Sequence, residues 1–151
     1  MRLPLPPSWR HAVAAVATSL LLAACAGTAG SPSITVSDIR APAPAGPNGA
    51  VYLTLRNDGD GDDRLVSASS DAAGNVAIHE STMTDGTMSM RQVDGVDIPA
   101  GGEAVLETGG FHIMLIDVRD DLAEGDTFDL TLAFETSDDQ TVEAQVVPLV
   151  P

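Results

Sequence analysis

Beyond residue 33 the hydropathy of this chain repeats every two residues and not every 3.6, which limits it to short β-strands. In Val51-Tyr52-Leu53-Thr54-Leu55-Arg56, the residues Val51, Leu53 and Leu55 share a face. That is the pattern of a strand with one side on a core and the other toward water. Ile34-Thr35-Val36-Ser37 alternates in the same way, ahead of a Pro-rich loop over 41–49. Further strands are predicted over 64–67, 75–81, 88–93, 103–107, 111–118, 126–135 and 141–147. Turn formers separate nearly all of them, among them Asp85-Gly86, Asp94-Gly95, Gly101-Gly102, Gly109-Gly110 and Ser137-Asp138-Asp139. No segment carries a sustained helical apolar stripe, and there is no internal repeat. Eight or nine short strands at this spacing predict an all-β domain over 34–151, an antiparallel β-sandwich or Greek-key barrel.

The first residues follow a different logic. Arg2 and Arg10 make a positive n-region, and residues 12–24 form an apolar run interrupted only by Thr18 and Ser19. That run falls short of the roughly 20 residues a permanent membrane span needs. Leu22-Ala23-Ala24-Cys25 resembles a bacterial lipobox, so residues 1–24 are expected to be a lipoprotein signal peptide and Cys25 the lipidated residue. Residues 25–33, rich in Gly, Ala, Ser and Pro, then read as a flexible tether. The expected location is extracytoplasmic, either periplasmic or on the outer face of the cell membrane, with attachment to the membrane through Cys25.

Loss of residues 1–24 removes two arginines and no acid, taking the formal charge from −15 to −17. A surface so acidic repels nucleic acid. Cys25 is the only cysteine, so no intrachain disulfide can form and the domain must rely on its core.

The residues that could carry chemistry are concentrated. After the leader the chain keeps two histidines, His79 and His112, and four methionines, Met83, Met88, Met90 and Met114. All six fall within residues 79–114. On strands, His112 and Met114 project together, and so do Met88 and Met90. If Phe111, Ile113 and Leu115 fill the core, then His112 and Met114 face outward or into a cleft. Thioether sulfur is a soft neutral donor that suits Cu(I), and imidazole suits copper in general. Zinc would favour Cys, His or carboxylate, and calcium or magnesium would need clustered oxygens. A blue-copper electron carrier needs a Cys ligand, and the only cysteine stands in the lipobox. Transport of Cu(I) is therefore a better reading than redox chemistry.

The spacing His79-x10-Met90-x21-His112-x-Met114 resembles the metal-binding signature of the periplasmic PCuA(C) copper chaperones. The runs HEST (79–82), GTMSMR (86–91), IPAGG (98–102), GGFHIMLI (109–116) and LAEGD (122–126) are similar to that family as well. The resemblance covers about residues 33–147. It implies a cupredoxin-like fold and Cu(I) held by His79, Met90, His112 and Met114; one ion per chain and a monomer are expected. It also implies that the ion is handed by ligand exchange to a recipient such as cytochrome c oxidase, often beside a Sco-type partner. Met83 and Met88 stand close by as auxiliary metal donors. Some relatives carry a His/Met-rich C-terminal tail for a second copper, whereas this chain ends in VEAQVVPLVP.

Other chemistries find little support. Asp58-x-Asp60-x-Asp62 has a calcium-loop rhythm, but Asp63 replaces the required Gly and Ser69 the required Glu. No GxSxG or HExxH motif is present, so no enzyme is expected. The alternative from another class is a lipid-anchored β-sandwich that stores or detoxifies copper, or binds a protein partner.

Overall fold

The computed structural model describes residues 30–119 and 122–149; the expected leader and Cys25 lie outside the described residues. Ten strands follow in chain order: β1 (Ile34–Pro42), β2 (Asn48–Asn57), β3 (Asp63–Ser69), β4 (Ala73–Thr84), β5 (Thr87–Gln92), β6 (Val96–Ile98), β7 (Glu103–Leu106), β8 (Phe111–Val118), β9 (Thr127–Phe134) and β10 (Gln140–Val147). They hydrogen-bond in the order β5-β4-β8-β2-β1-β10-β9-β3-β6, with β7 also on β2. Every pairing is antiparallel except β1 with β10. That junction joins β5-β4-β8-β2-β1 to β10-β9-β3-β6, and side chains from both parts fill one core. Val51, Leu53, Leu55, Ile78, Ile113 and Leu115 come from the first, Leu65, Leu130, Leu132 and Ala144 from the second. Among the described residues Phe134 is the one buried Phe, Tyr or Trp, and the core is built mainly from aliphatic side chains.

The structure departs most from the sequence reading at β1 and β6, while β2 and β4 also run beyond the expected 51–56 and 75–81. β1 continues through Pro42 because Asp38 adopts a positive φ of 53° and the register with β2 shifts between Ser37 and Arg40. That bulge adds one residue to the strand and breaks the alternation by which it would be recognised. Pro42 is tolerated at the strand end, and Ala43 N–H takes up the hydrogen bonding by donating to Val147 O at 2.8 Å. β6, three residues long, is too short to show a period.

The end of the expected tether is docked. Ser31 N–H donates to Asp60 Oδ1, and Ser33 N–H to Asn57 Oδ1. A Cβ at Gly59 would come within 2.2 Å of Ser31 O, and one at Gly61 within 2.0 Å of Gly30 O. Only glycine lets the two backbones lie this close. The acidic loop spends its carboxylates here: Asp58 pairs with Arg56, Asp60 caps Ser31, and Asp62 accepts from Ala100 N–H.

Asp63 closes the next turn and is nearly buried. Burial pushes its carboxyl up, but hydrogen bonds from the Ser137 side chain and from Arg64, Thr136 and Ser137 N–H outweigh it and hold the pKa below the usual range. A depressed folded pKa stabilises above the unfolded value, near 3.9, and that contribution is lost as pH falls through the folded one. Asp63→Ala leaves those backbone donors unpaired and is expected to cost about 1–3 kcal/mol at pH 7. Urea unfolding from pH 7 to 3 should show that deficit shrink in acid; a deficit independent of pH would remove Asp63 from the acid response.

Candidate metal centre

β4 and β5 form a hairpin closed by Asp85 (φ 51°) and Gly86 (φ 77°), the two left-handed residues of a type I′ turn. This turn fixes the register: Met83 opposes Met88, Ser81 opposes Met90, and His79 opposes Gln92. On its other edge β4 pairs with β8, so that His79 faces His112 and Ala77 faces Met114. β2 follows, with Ala50 opposite Met114. Since directly opposed residues share a face and alternate residues do too, His79, Met83, Met88, Met90, His112 and Met114 all stand on one side of the sheet. Ile78, Ile113 and Leu115 lie buried on the other.

His112, only 4% exposed, is turned into a cleft of about 440 Å3 whose walls include Tyr52, Ser81, Met88, Met90 and Met114. The sequence left open whether His112 faces outward or into a cleft, and the cleft is what it faces. Ser81, buried and small, leaves room between the histidine and thioether positions. His79 does not line the cleft; its ring lies against that of His112, centroid to centroid 5.9 Å. Met83 lies outside the cleft wall and is 63% exposed.

A hydrogen bond orients the His112 ring, and burial sets the state of His79. His112 Nδ1 is 3.2 Å from Gly110 O, which can only accept, so Nδ1 carries the proton and Nε2 keeps its lone pair in the neutral ring. Gly110 O also accepts Ser81 N–H at 2.9 Å, which pins the carbonyl between the strands. His79 Nδ1 is buried with no hydrogen-bond partner. Such an orphan costs about 1–3 kcal/mol and is rare outside functional sites. Burial first, and then the proximity of His112, lower the His79 pKa below the ordinary imidazole value, favouring the neutral form. Among the described residues no group of three His, Cys, Asp or Glu side chains could hold a metal ion. The donors at this face are therefore imidazole nitrogen and thioether sulfur, a set for a soft ion.

Tyr52, the only tyrosine, is a neighbour that the sequence analysis missed. Its ring lies 6.4 Å from that of His112 and carries the Arg40 guanidinium 5.4 Å above its centre. A lone aromatic at an outward position of an otherwise alternating strand is the signal that could have found it.

Comparison with known proteins fits this architecture. The copper-bound PCuAC domain from PmoF2 has a TM-score of 0.64 at 23% identity, covering 76% of this chain and 92% of that one. The solution structure of Cu(I)-DR1885 from Deinococcus radiodurans has a TM-score of 0.59 at 26% identity, covering 80% of this chain and 78% of that one. The fold is thus the cupredoxin-like β-sandwich of PCuAC domains. "Putative lipoprotein Lxx21020" of Leifsonia xyli subsp. xyli (strain CTCB07) is 33% identical over 98 residues, 64% of this chain. The chain spans 55% to 59% of the length of the curated relatives it matches. The family described as LpqE-like matches residues 34–146, and with three quarters of its length inside that match the chain belongs to the LpqE-like family.

Proposed function

We propose that this protein is an extracytoplasmic Cu(I) chaperone that carries one ion at His79, Met90, His112 and Met114 and releases it by ligand exchange. The observation that carries the reading is the opposed histidine pair, with an unpartnered buried Nδ1 on His79 and a free Nε2 on His112, on one sheet face with the thioethers. The copper-bound and Cu(I) states named for the PmoF2 domain and DR1885 support it. Neutral donors suit a monovalent soft ion, and the open cleft beside them gives a partner's donors a way in. Copper then passes from ligand to ligand without appearing free. The leader over 1–24 would direct export, and a lipid on Cys25 would keep the domain, 34–151, at a membrane face. A family described as lipoproteins is in keeping with such an anchor. The proposed recipient is a copper centre of cytochrome c oxidase, reached directly or through a Sco-type protein.

Anaerobic titration of Cu(I) against a chromogenic chelator tests this. The Cys25→Ser chain, which lacks a competing thiol, is expected to take one equivalent tightly. Met114→Leu keeps the size and apolarity of the side chain and removes the sulfur. It should leave the fold intact and weaken binding by about tenfold or more, on the scale of disturbing a metal's outer shell or beyond. Absence of tight binding in the parent chain would refute the proposal; an unchanged affinity in the variant would remove Met114 from the site.

A further inference from the structure

We infer that Met83 and Met88 form a second, outer thioether site at the end of the β4–β5 hairpin, where Cu(I) is received or given up on its way to and from the inner ligands. The inference rests on the Cu(I) reading above. It starts from a segregation that burial does not explain. Every residue of β5 is exposed, as are the last three of β4, so neither face of the hairpin end packs on a core. One face carries Thr82, Thr84, Thr87, Ser89 and Arg91, as an exposed hairpin should. The other carries Met83, Met88 and Met90, which are 63%, 56% and 50% exposed. Three large apolar side chains in water, all on the face that leads to His79 and His112, are a cost unless their sulfur is used.

The register supplies the geometry. Met83 and Met88 are direct cross-strand partners. Such pairs have Cβ atoms about 4.5–5.5 Å apart, and each methionine has three flexible torsions, so two sulfurs can converge on one ion. Met90 is the next residue on that face of β5, about 7 Å further along the strand. Met83, then Met88 and Met90, then His112 make a graded path: a thioether outside the cleft, two half-exposed thioethers on its wall, and a buried imidazole. Donor strength and burial rise inward, so the outer pair binds more weakly and exchanges faster. The ion stays Cu(I) throughout, with no electron or proton transferred, as one donor leaves for each that arrives.

The test uses the full chain with Cys25→Ser in detergent, its methionines labelled with ¹³C at the ε-methyl. Cu(I) is added anaerobically, with Ag(I) as a redox-inert soft probe in parallel. The first equivalent is expected to shift Met90 and Met114, the second to shift Met83 and Met88, and Met1 serves as a reference. In Met83→Leu, whose side chain lies outside the cleft wall, the second equivalent should be lost, the affinity for the first should hold within about twofold, and release to a chelator should slow. If Met83 and Met88 stay unmoved through two equivalents while Met90 and Met114 shift, the outer site is wrong and the chaperone reading stands. If no methionine moves with either ion, the copper reading itself falls, and this inference with it.

Discussion

Asn57→Asp is expected to lower the stability of the domain by at least about 3 kcal/mol at pH 7, although it exchanges one nitrogen for one oxygen. Asn57 is completely buried, and its amide is fully used. Nδ2 donates to Gly61 O at 2.8 Å and to Ile98 O at 3.2 Å, while Oδ1 accepts Ser33 N–H and Gly59 N–H, each at 3.0 Å. One side chain thus joins the N-terminal segment, the 57–61 loop and β6. A carboxylate could still accept, but it would turn a charge and two lone pairs toward the carbonyls of Gly61 and Ile98. Each carbonyl left without a donor costs about 1–3 kcal/mol, and the buried charge adds to that. Protonation restores one donor, so the folded pKa of the new carboxyl is raised. The deficit should therefore narrow as pH falls toward 4. Urea unfolding at pH 7 and pH 4 reads both effects; a deficit under 1 kcal/mol at pH 7 would show that the four bonds do not hold this corner together.

The same residue shows why part of the fold was hidden from the sequence. In the run Arg56-Asn57-Asp58-Gly59 it looks like turn chemistry, and its partners are as far away as Ile98. Residues 30–33 read as tether for a similar reason, since their docking depends on Gly59 and Gly61 and not on any pattern of their own. β1 was cut short by the bulge at Asp38, which shifts the in-out parity by one. By contrast, β8 was legible to the residue, because Phe111, Ile113 and Leu115 alternate without interruption over a half-buried strand. The shared face of Met88 with Met90, and of His112 with Met114, followed from parity alone. Parity could not say which strands lie side by side. The register of β4 with β8, which brings His79 opposite His112, and the reach of Tyr52 from β2 are set by topology.

The largest functional effect should come from His79→Ala/His112→Ala, which is expected to abolish Cu(I) binding while leaving a folded domain. If a four-ligand site contributes about 12 kcal/mol in total, each ligand accounts for roughly 3 kcal/mol. That is about 100-fold in affinity per histidine and about 10⁴-fold for both. The loss in stability should be far smaller than a buried polar pair would suggest. His79 Nδ1 has no partner to lose, and His112 gives up a single hydrogen bond to Gly110 O. Copper should raise the melting temperature of the parent chain by mass action and leave that of the double variant unmoved. The pH dependence carries an independent sign. Imidazole binds only when neutral, so affinity must fall in acid. Burial and the neighbouring His112 favour neutral His79, and its share of that fall is displaced below the ordinary imidazole range near 6.5. Binding that is flat from pH 7.5 to 5, or that survives in the double variant, would show that neither imidazole holds the ion. Binding that weakens in acid only in chains retaining both rings would assign the proton competition to this pair, because thioethers do not titrate.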